Sequence, residues 1–156
     1  MVILKEEKNS QLFAQWLNSE TEEILQFIDG GDLGRPITAE AIAYINQIPI
    51  GHIEIIIVRN LQDDHNQWNQ LYQGKIWSLC CYLYVVPEQR AKGYGTQIVK
   101  QACDQAINDG ADLVSLIVAK DNHRARKFYH NVGFTETHTT MIKSGKEFIV
   151  SEYLKS

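Results

Sequence analysis

The stretch Leu83 to Thr96, LYVVPEQRAKGYGT, constrains this chain more than any other. It reads as an apolar strand that stops at Pro87, a tight turn containing Gly93 and Gly95, and a helix beginning at Thr96. A helix start leaves backbone N–H groups unpaired and carries the positive end of the helix dipole, so such a turn aims several donors at one point. A phosphate suits that point. Gly93 and Gly95 keep side chains away from where a ligand must approach the backbone, and Arg90 and Lys92 add positive charge beside it. An ordinary strand-to-helix turn with basic surface residues would use the same letters.

Two phosphate-binding designs are excluded by the residues that follow. A dinucleotide fingerprint needs a third small residue three positions after Gly95, where this chain has Ile98. A P-loop ends in Gly-Lys-Ser/Thr, whereas Gly95 is followed by Thr96 and Gln97.

Downstream of the apolar run Leu113 to Ala119, the residues Asn122, Ala125, Phe128, Tyr129, Gly133 and Phe134 form N-x-x-A-x-x-F-Y-x-x-x-G-F. With R-x-x-G-x-G at Arg90 to Gly95, the chain resembles the GNAT superfamily of acyl-CoA-dependent N-acetyltransferases. The motif match spans Leu83 to Phe134; outside it the likeness is in the order of elements. The resemblance implies one GNAT-like domain over residues 1–156, of α+β class, with a mixed and mostly antiparallel central sheet splayed in the middle and flanked by helices. It also implies acetyl-CoA as acetyl donor and direct attack by a primary amine in a ternary complex. The backbone of Arg90, Ala91, Lys92, Gly93, Tyr94, Gly95 and Thr96 would hold the pyrophosphate. Leu83 and Val85 would pair with the pantetheine arm in the manner of an added strand. A backbone N–H of Leu83 or Tyr84 would face the oxyanion, Asn122 would contact the cofactor arm, and Tyr129 would protonate the departing sulfur.

The base is the least determined part. A lysine-like amine has a pKa of about 10.4, so neutralising it at pH 7 costs roughly 4.6 kcal/mol unless the site helps. Some family members place a glutamate on the strand that here reads Trp77-Ser78-Leu79-Cys80-Cys81-Tyr82, which holds no carboxylate. Glu54 on the preceding strand is the first candidate and His52 the second, each acting through water. A solvated strand residue is the plainer account of Glu54, and a core aromatic that of Tyr129. A non-catalytic CoA-binding sensor or regulatory module of the same fold is the alternative function. The acceptor, a small-molecule or peptide amine, stays open.

Composition limits the other classes. The chain has 156 residues, 44% of them hydrophobic and 22% charged, which fits one soluble domain with a sizeable core. A net charge of −4, with no basic stripe interleaved with aromatics, argues against a nucleic-acid partner. No apolar run approaches the roughly 20 residues of a membrane span, and the charged N-terminus lacks a signal-peptide core. A cytoplasmic protein with no membrane contact is expected, and self-association into a homodimer is left open. Cys80, Cys81 and Cys103 read as buried reduced thiols, and the His spacing predicts no metal.

The expected elements run as follows. Val2 to Leu4 forms a short strand, and helical pieces start after Ser10 and at Thr21. A hairpin joins a strand from Thr38 to Asn46 to one from Ile53 to Val58, turning at Pro49 and Gly51. Asn60 to Gly74 is a long polar loop, read as mobile, as a subunit contact or as an acceptor contact. Strand Ile76 to Val86, helix Thr96 to Asp109, strand Asp112 to Ala119 and a helix capped by Asn122 follow. A hairpin over Phe134 to Ile142 and Phe148 to Tyr153, turning at Ser144-Gly145, ends the chain.

Overall fold

The computed structural model describes residues 2–6, 37–58 and 70–154. The helical pieces expected between residues 10 and 31, and residues 60–69 of the polar loop, lie outside them. The described strands are β1 Ile3–Glu6, β2 Ile37–Ile45, β3 Ile48–Val58, β4 Trp77–Val85, β5 Leu113–Ala119, β6 Thr135–Lys143 and β7 Lys146–Leu154. The described helices are α1 Tyr94–Asn108 and α2 His123–Val132, with a 3-10 turn at Pro87–Gln89. The fold is α+β, built on one seven-stranded sheet in the order β1-β2-β3-β4-β5-β7-β6. Every neighbouring pair is antiparallel except β4 and β5.

Local chemistry explains the elements. β3 is rich in β-branched residues, and β5 is apolar apart from Ser115, as expected of a strand covered on both faces. α1 buries Ile98, Val99, Ala102, Cys103 and Ala106 along one stripe and packs across β3, β4 and β5. The Asn122 side chain caps α2 by accepting from the Ala125 N–H at 3.1 Å. Gly133 ends α2 at φ +126, its N–H bonded to the Tyr129 carbonyl at 3.2 Å. A bidentate pair, Arg126 to Glu136 at 2.8 and 3.0 Å, ties α2 to β6.

The first hairpin differs from its sequence reading. Its turn is Asn46-Gln47, both left-handed at φ 49 and 68, and β3 already begins at Ile48. Two consecutive left-handed residues give the turn whose twist matches paired strands. Pro49 is tolerated inside the strand because it lies beyond the β3–β4 ladder, which ends at Gly51 opposite Val85, and because it sits beside the bulge at Ala43/Tyr44. The expected polar loop ends in a turn over Tyr72 to Gly74, and one of its residues is in the core. Tyr72 is buried against Trp77, and its hydroxyl bonds Ser115 at 2.8 Å and Glu152 at 2.7 Å.

The feature that positions the site is the short ladder between β4 and β5. It holds Trp77, Ser78 and Leu79 against Leu113, Val114 and Ser115, and then ends. Beyond it β4 follows β3 to Val85, while β5 follows β7 to Ala119. The splay expected at this junction is therefore present. On β4 the register steps from Cys80 opposite Ile55 to Tyr82 opposite Glu54, leaving Cys81 as a bulge.

Ladder phase then fixes where the backbone of β4 points. The Val86 N–H donates to the Ile50 carbonyl at 2.8 Å, so Val85 and Gly51 form a non-hydrogen-bonded pair. The N–H and C=O groups of Val85 and Leu83 consequently face away from β3, into the splay, and those of Tyr84 face His52 on β3. Gly51 permits this close pairing. A Cβ there would stand 2.6 Å from the Tyr84 carbonyl oxygen and 3.2 Å from Ile98 Cδ1. Gly51→Ala is expected to cost about 1–3 kcal/mol of stability, the range for overpacking a well-filled core. Urea denaturation checks it, and an unchanged midpoint would show that the β3–β4 contact is looser than described.

Candidate active site

The splay opens into a groove of about 580 Å³. Leu83, Tyr84 and Val85 form one wall. Asn122, Arg124, Ala125, Phe128 and Tyr129 of α2 and its cap form the other, and Gln89, Arg90, Ala91, Gly93, Gly95 and Thr96 close one end. The strand, the turn and the second motif that stood apart in sequence thus meet around one cavity.

The closed end is the start of α1. Its N-cap is Gly93 at φ +83, no side chain caps it, and no acidic residue sits in its first turn. The N–H groups of Tyr94, Gly95 and Thr96 have no carbonyl one helical turn behind them. With the dipole they make a donor cluster for an anion. Ala91 is also left-handed, at φ 62, a conformation that costs a non-glycine residue roughly 1–2 kcal/mol. A Cβ on Gly95 would make only ordinary contact, 3.4 Å from the Phe128 ring and 3.9 Å from Val85 Cγ2, so packing alone does not demand glycine there. The helix begins at Tyr94, two residues ahead of the sequence reading, because glycine at the N-cap lets the chain turn into α1 immediately.

The basic side chains beside the turn are both engaged in hydrogen bonds. Arg90 Nε donates to the Val85 carbonyl at 2.7 Å, and its guanidinium lies 5.4 Å from the centre of the Tyr84 ring. Lys92 Nζ donates to Gln89 Oε1 at 3.2 Å and does not line the groove. Tyr94 packs toward the core instead of lining the groove.

At the far end, Tyr129 is half-buried and packs edge-on against Phe128 and Phe134, ring centres 5.0 and 5.7 Å apart. Burial, reinforced by the neighbouring Cys80 and Cys103, raises its phenol well above the ordinary range, so it stays protonated at any working pH. Burial also pushes the Cys80 thiol up to about 12 and raises that of Cys103, which leaves both as unreactive core groups.

The sequence profile of the acetyltransferase (GNAT) family matches residues 2–134. The chain belongs to the GNAT family. It is 31% identical over 62 residues to an uncharacterized N-acetyltransferase of Archaeoglobus fulgidus, a stretch covering 40% of this chain and 42% of that one. It is 38% identical over 53 residues to the uncharacterized N-acetyltransferase YobR of Bacillus subtilis, covering 34% of this chain and 22% of YobR. The chain thus matches less than half the length of either relative. Among solved structures, the aminoglycoside acetyltransferase AAC(6')-Ib in complex with coenzyme A and kanamycin superposes with TM-score 0.74 at 18% identity, over 99% of this chain and 95% of that one. A chain of the NatC complex bound to Gag peptide and CoA gives TM-score 0.68 at 16% identity, with 99% of each chain covered. At these identities the likeness is one of fold.

The two GNAT base candidates lie outside the groove lining. Glu54 is half-buried on β3, opposite Tyr82 and so level with the splay. By strand alternation Glu54 and His52 project from the sheet face opposite the one that carries Ile53 and Ile55. His52 is only 1% exposed, and burial lowers its pKa to about 4. An imidazole that weak is a poor base for an ammonium ion. Among the described residues no three His, Cys, Asp or Glu side chains gather as metal ligands, and no helix is long and apolar enough to cross a membrane.

Sequence reasoning did not place Gln89, Arg124, Ala125 or Phe128 in the site. Ala125 and Phe128 carried a signal, being fixed positions of the second motif. Gln89 and Arg124 carried none beyond adjacency to motif residues.

His52 gives the GNAT chain a testable pH response. The folded imidazole resists protonation until about pH 4, whereas an unfolded one takes its proton near the ordinary 6.5. Its contribution is therefore present above pH 6.5 and is lost as pH falls from 6.5 toward 4, by roughly 3 kcal/mol in all. Denaturation midpoints at pH 7 and 4.5 should converge in His52→Gln relative to the parent. Equal acid sensitivity in both proteins would contradict a buried neutral His52.

Proposed function

We propose that the chain transfers the acetyl group of acetyl-CoA to a primary amine by direct attack in a ternary complex. The observation that carries this reading is the splay itself. Leu83 and Val85 turn their backbone groups into a groove that ends at the uncapped start of α1. A pantetheine arm carries amides that can pair with a strand edge as an added strand would, and a pyrophosphate suits the helix N-terminus. The crystal structures of AAC(6')-Ib with coenzyme A and kanamycin, and of NatC with CoA and a peptide, support CoA as the donor and an amine acceptor of small-molecule or peptide type.

In the proposed reaction the neutral amine nitrogen attacks the thioester carbonyl and forms a C–N bond. The oxyanion is met by the Leu83 N–H, which faces the splay; the Tyr84 N–H faces β3 and is unsuited to that role. The C–S bond then breaks, and Tyr129 gives its proton to the departing sulfur. Asn122 uses its side-chain oxygen on α2, leaving its amide nitrogen to contact the cofactor arm. Glu54 is assigned the amine's proton, through water, because its rung is level with the splay and His52 is too weak a base.

One observation favours a second reading. Among the described residues no carboxylate lines the groove, as would also hold for a CoA-binding sensor that transfers nothing. Turnover of acetyl-CoA with any amine separates the two.

Steady-state kinetics with a working acceptor test Tyr129. Tyr129→Phe removes one oxygen and keeps the ring packing, so turnover should fall about 100-fold while acetyl-CoA affinity holds. A variant that keeps more than about half the parent turnover would return Tyr129 to the core as a packing residue.

A further inference from the structure

The Val85 carbonyl is one of the few backbone acceptors that the splay leaves pointing at the groove, and a side chain already occupies it. Arg90 Nε reaches back five residues to bond it at 2.7 Å. The turn is folded so as to bring this about. The Arg90 N–H bonds the Pro87 carbonyl at 3.2 Å, closing the 3-10 turn, and the guanidinium rests 5.4 Å from the Tyr84 ring centre. Arg90 is exposed and also lines the groove, so its side chain stands where a strand-like ligand would lie along β4.

We propose that Arg90 is a displaceable plug: in the ligand-free protein it holds the Val85 carbonyl, and an incoming amide N–H of the pantetheine arm takes its place. This rests on the acetyl-CoA reading above and adds an order of events to it. A charge-assisted bond satisfies the open strand edge until the arm arrives. Displacement then frees the guanidinium at the mouth of the groove, beside the helix start that receives the phosphates. Affinity for the arm is thereby set partly by the strength of the plug, and affinity for the nucleotide end is not. The exchange makes and breaks hydrogen bonds only.

The consequence is an unequal response of two CoA fragments to one substitution. Arg90→Met keeps an unbranched stem over Tyr84 but removes the donor. Calorimetry should show pantetheine binding the variant about tenfold more tightly than the parent, the lower end of the range for a hydrogen bond to a charged group. Adenosine 3′,5′-bisphosphate should bind the variant no more tightly than the parent. In the parent, the Arg90 Nε–H resonance should be protected from exchange when free and change on saturation with pantetheine. Pantetheine affinity that stays equal or falls in Arg90→Met, equal tightening for both fragments, or an Nε–H signal unmoved by pantetheine would each overturn the plug. Absence of CoA binding to the parent would bring down the acetyl-CoA reading and this inference together. CoA binding with any of the three negative results removes this inference alone.

Discussion

Three backbone pairs join β4 to β5, and the groove exists because the ladder stops after Leu79 and Ser115. A parallel pair that continued would consume the N–H and C=O groups of Leu83 and Val85 and leave no edge for a ligand. Each strand instead keeps its outer partner, β3 for one and β7 for the other, so the sheet divides without either half losing its ladder. The Cys81 bulge sits just past the last shared pair, where an extra residue adds local twist to β4. Phe128 and Tyr129 of α2 then line the opening.

A divided sheet needs something to hold the halves at a fixed separation. α1 does this by packing its apolar stripe across β3, β4 and β5 at once. Close approach is built in at Gly51, which lies under the Tyr84 carbonyl and Ile98. The same helix therefore serves as strut and as ligand donor: its buried face keeps the splay open, and its start supplies the N–H groups at the end of the groove. The Tyr153 hydroxyl, bonded to Asp104 at 2.6 Å, anchors α1 to the β7 side as well.

What could be read from the sequence was whatever short-range chemistry decides. The turn from Arg90 to Thr96 and the α2 cap at Asn122 are set by residues a few positions apart, and their glycines and cap residue announce them. The mostly antiparallel sheet and its splay came from the resemblance, not from periodicity. What escaped depends on long-range contact. Nothing local marks Cys81 as a bulge, since its role is set by the register against Glu54 and Ile55. Pro49 and Gly51 looked like a turn, yet Asn46 and Gln47 make it, and Gly51 is required by a carbonyl on another strand. Tyr72 sat in a polar stretch and is buried because Trp77 packs on its ring while Ser115 and Glu152 meet its hydroxyl. Arg90 was legible as positive charge beside the turn, but its bond back to the Val85 carbonyl was not, since that depends on how the turn folds.

The central claim is that the Leu83–Val85 edge and the α1 start together receive one CoA molecule. Residue-resolved amide exchange with and without acetyl-CoA tests it most directly. Slowed exchange is predicted at Leu83, Val85 and the N–H groups of Tyr94, Gly95 and Thr96. The Tyr84 amide, directed to β3, should be unchanged. Protection elsewhere with these amides unaffected, or an equal change at Tyr84, would contradict the account.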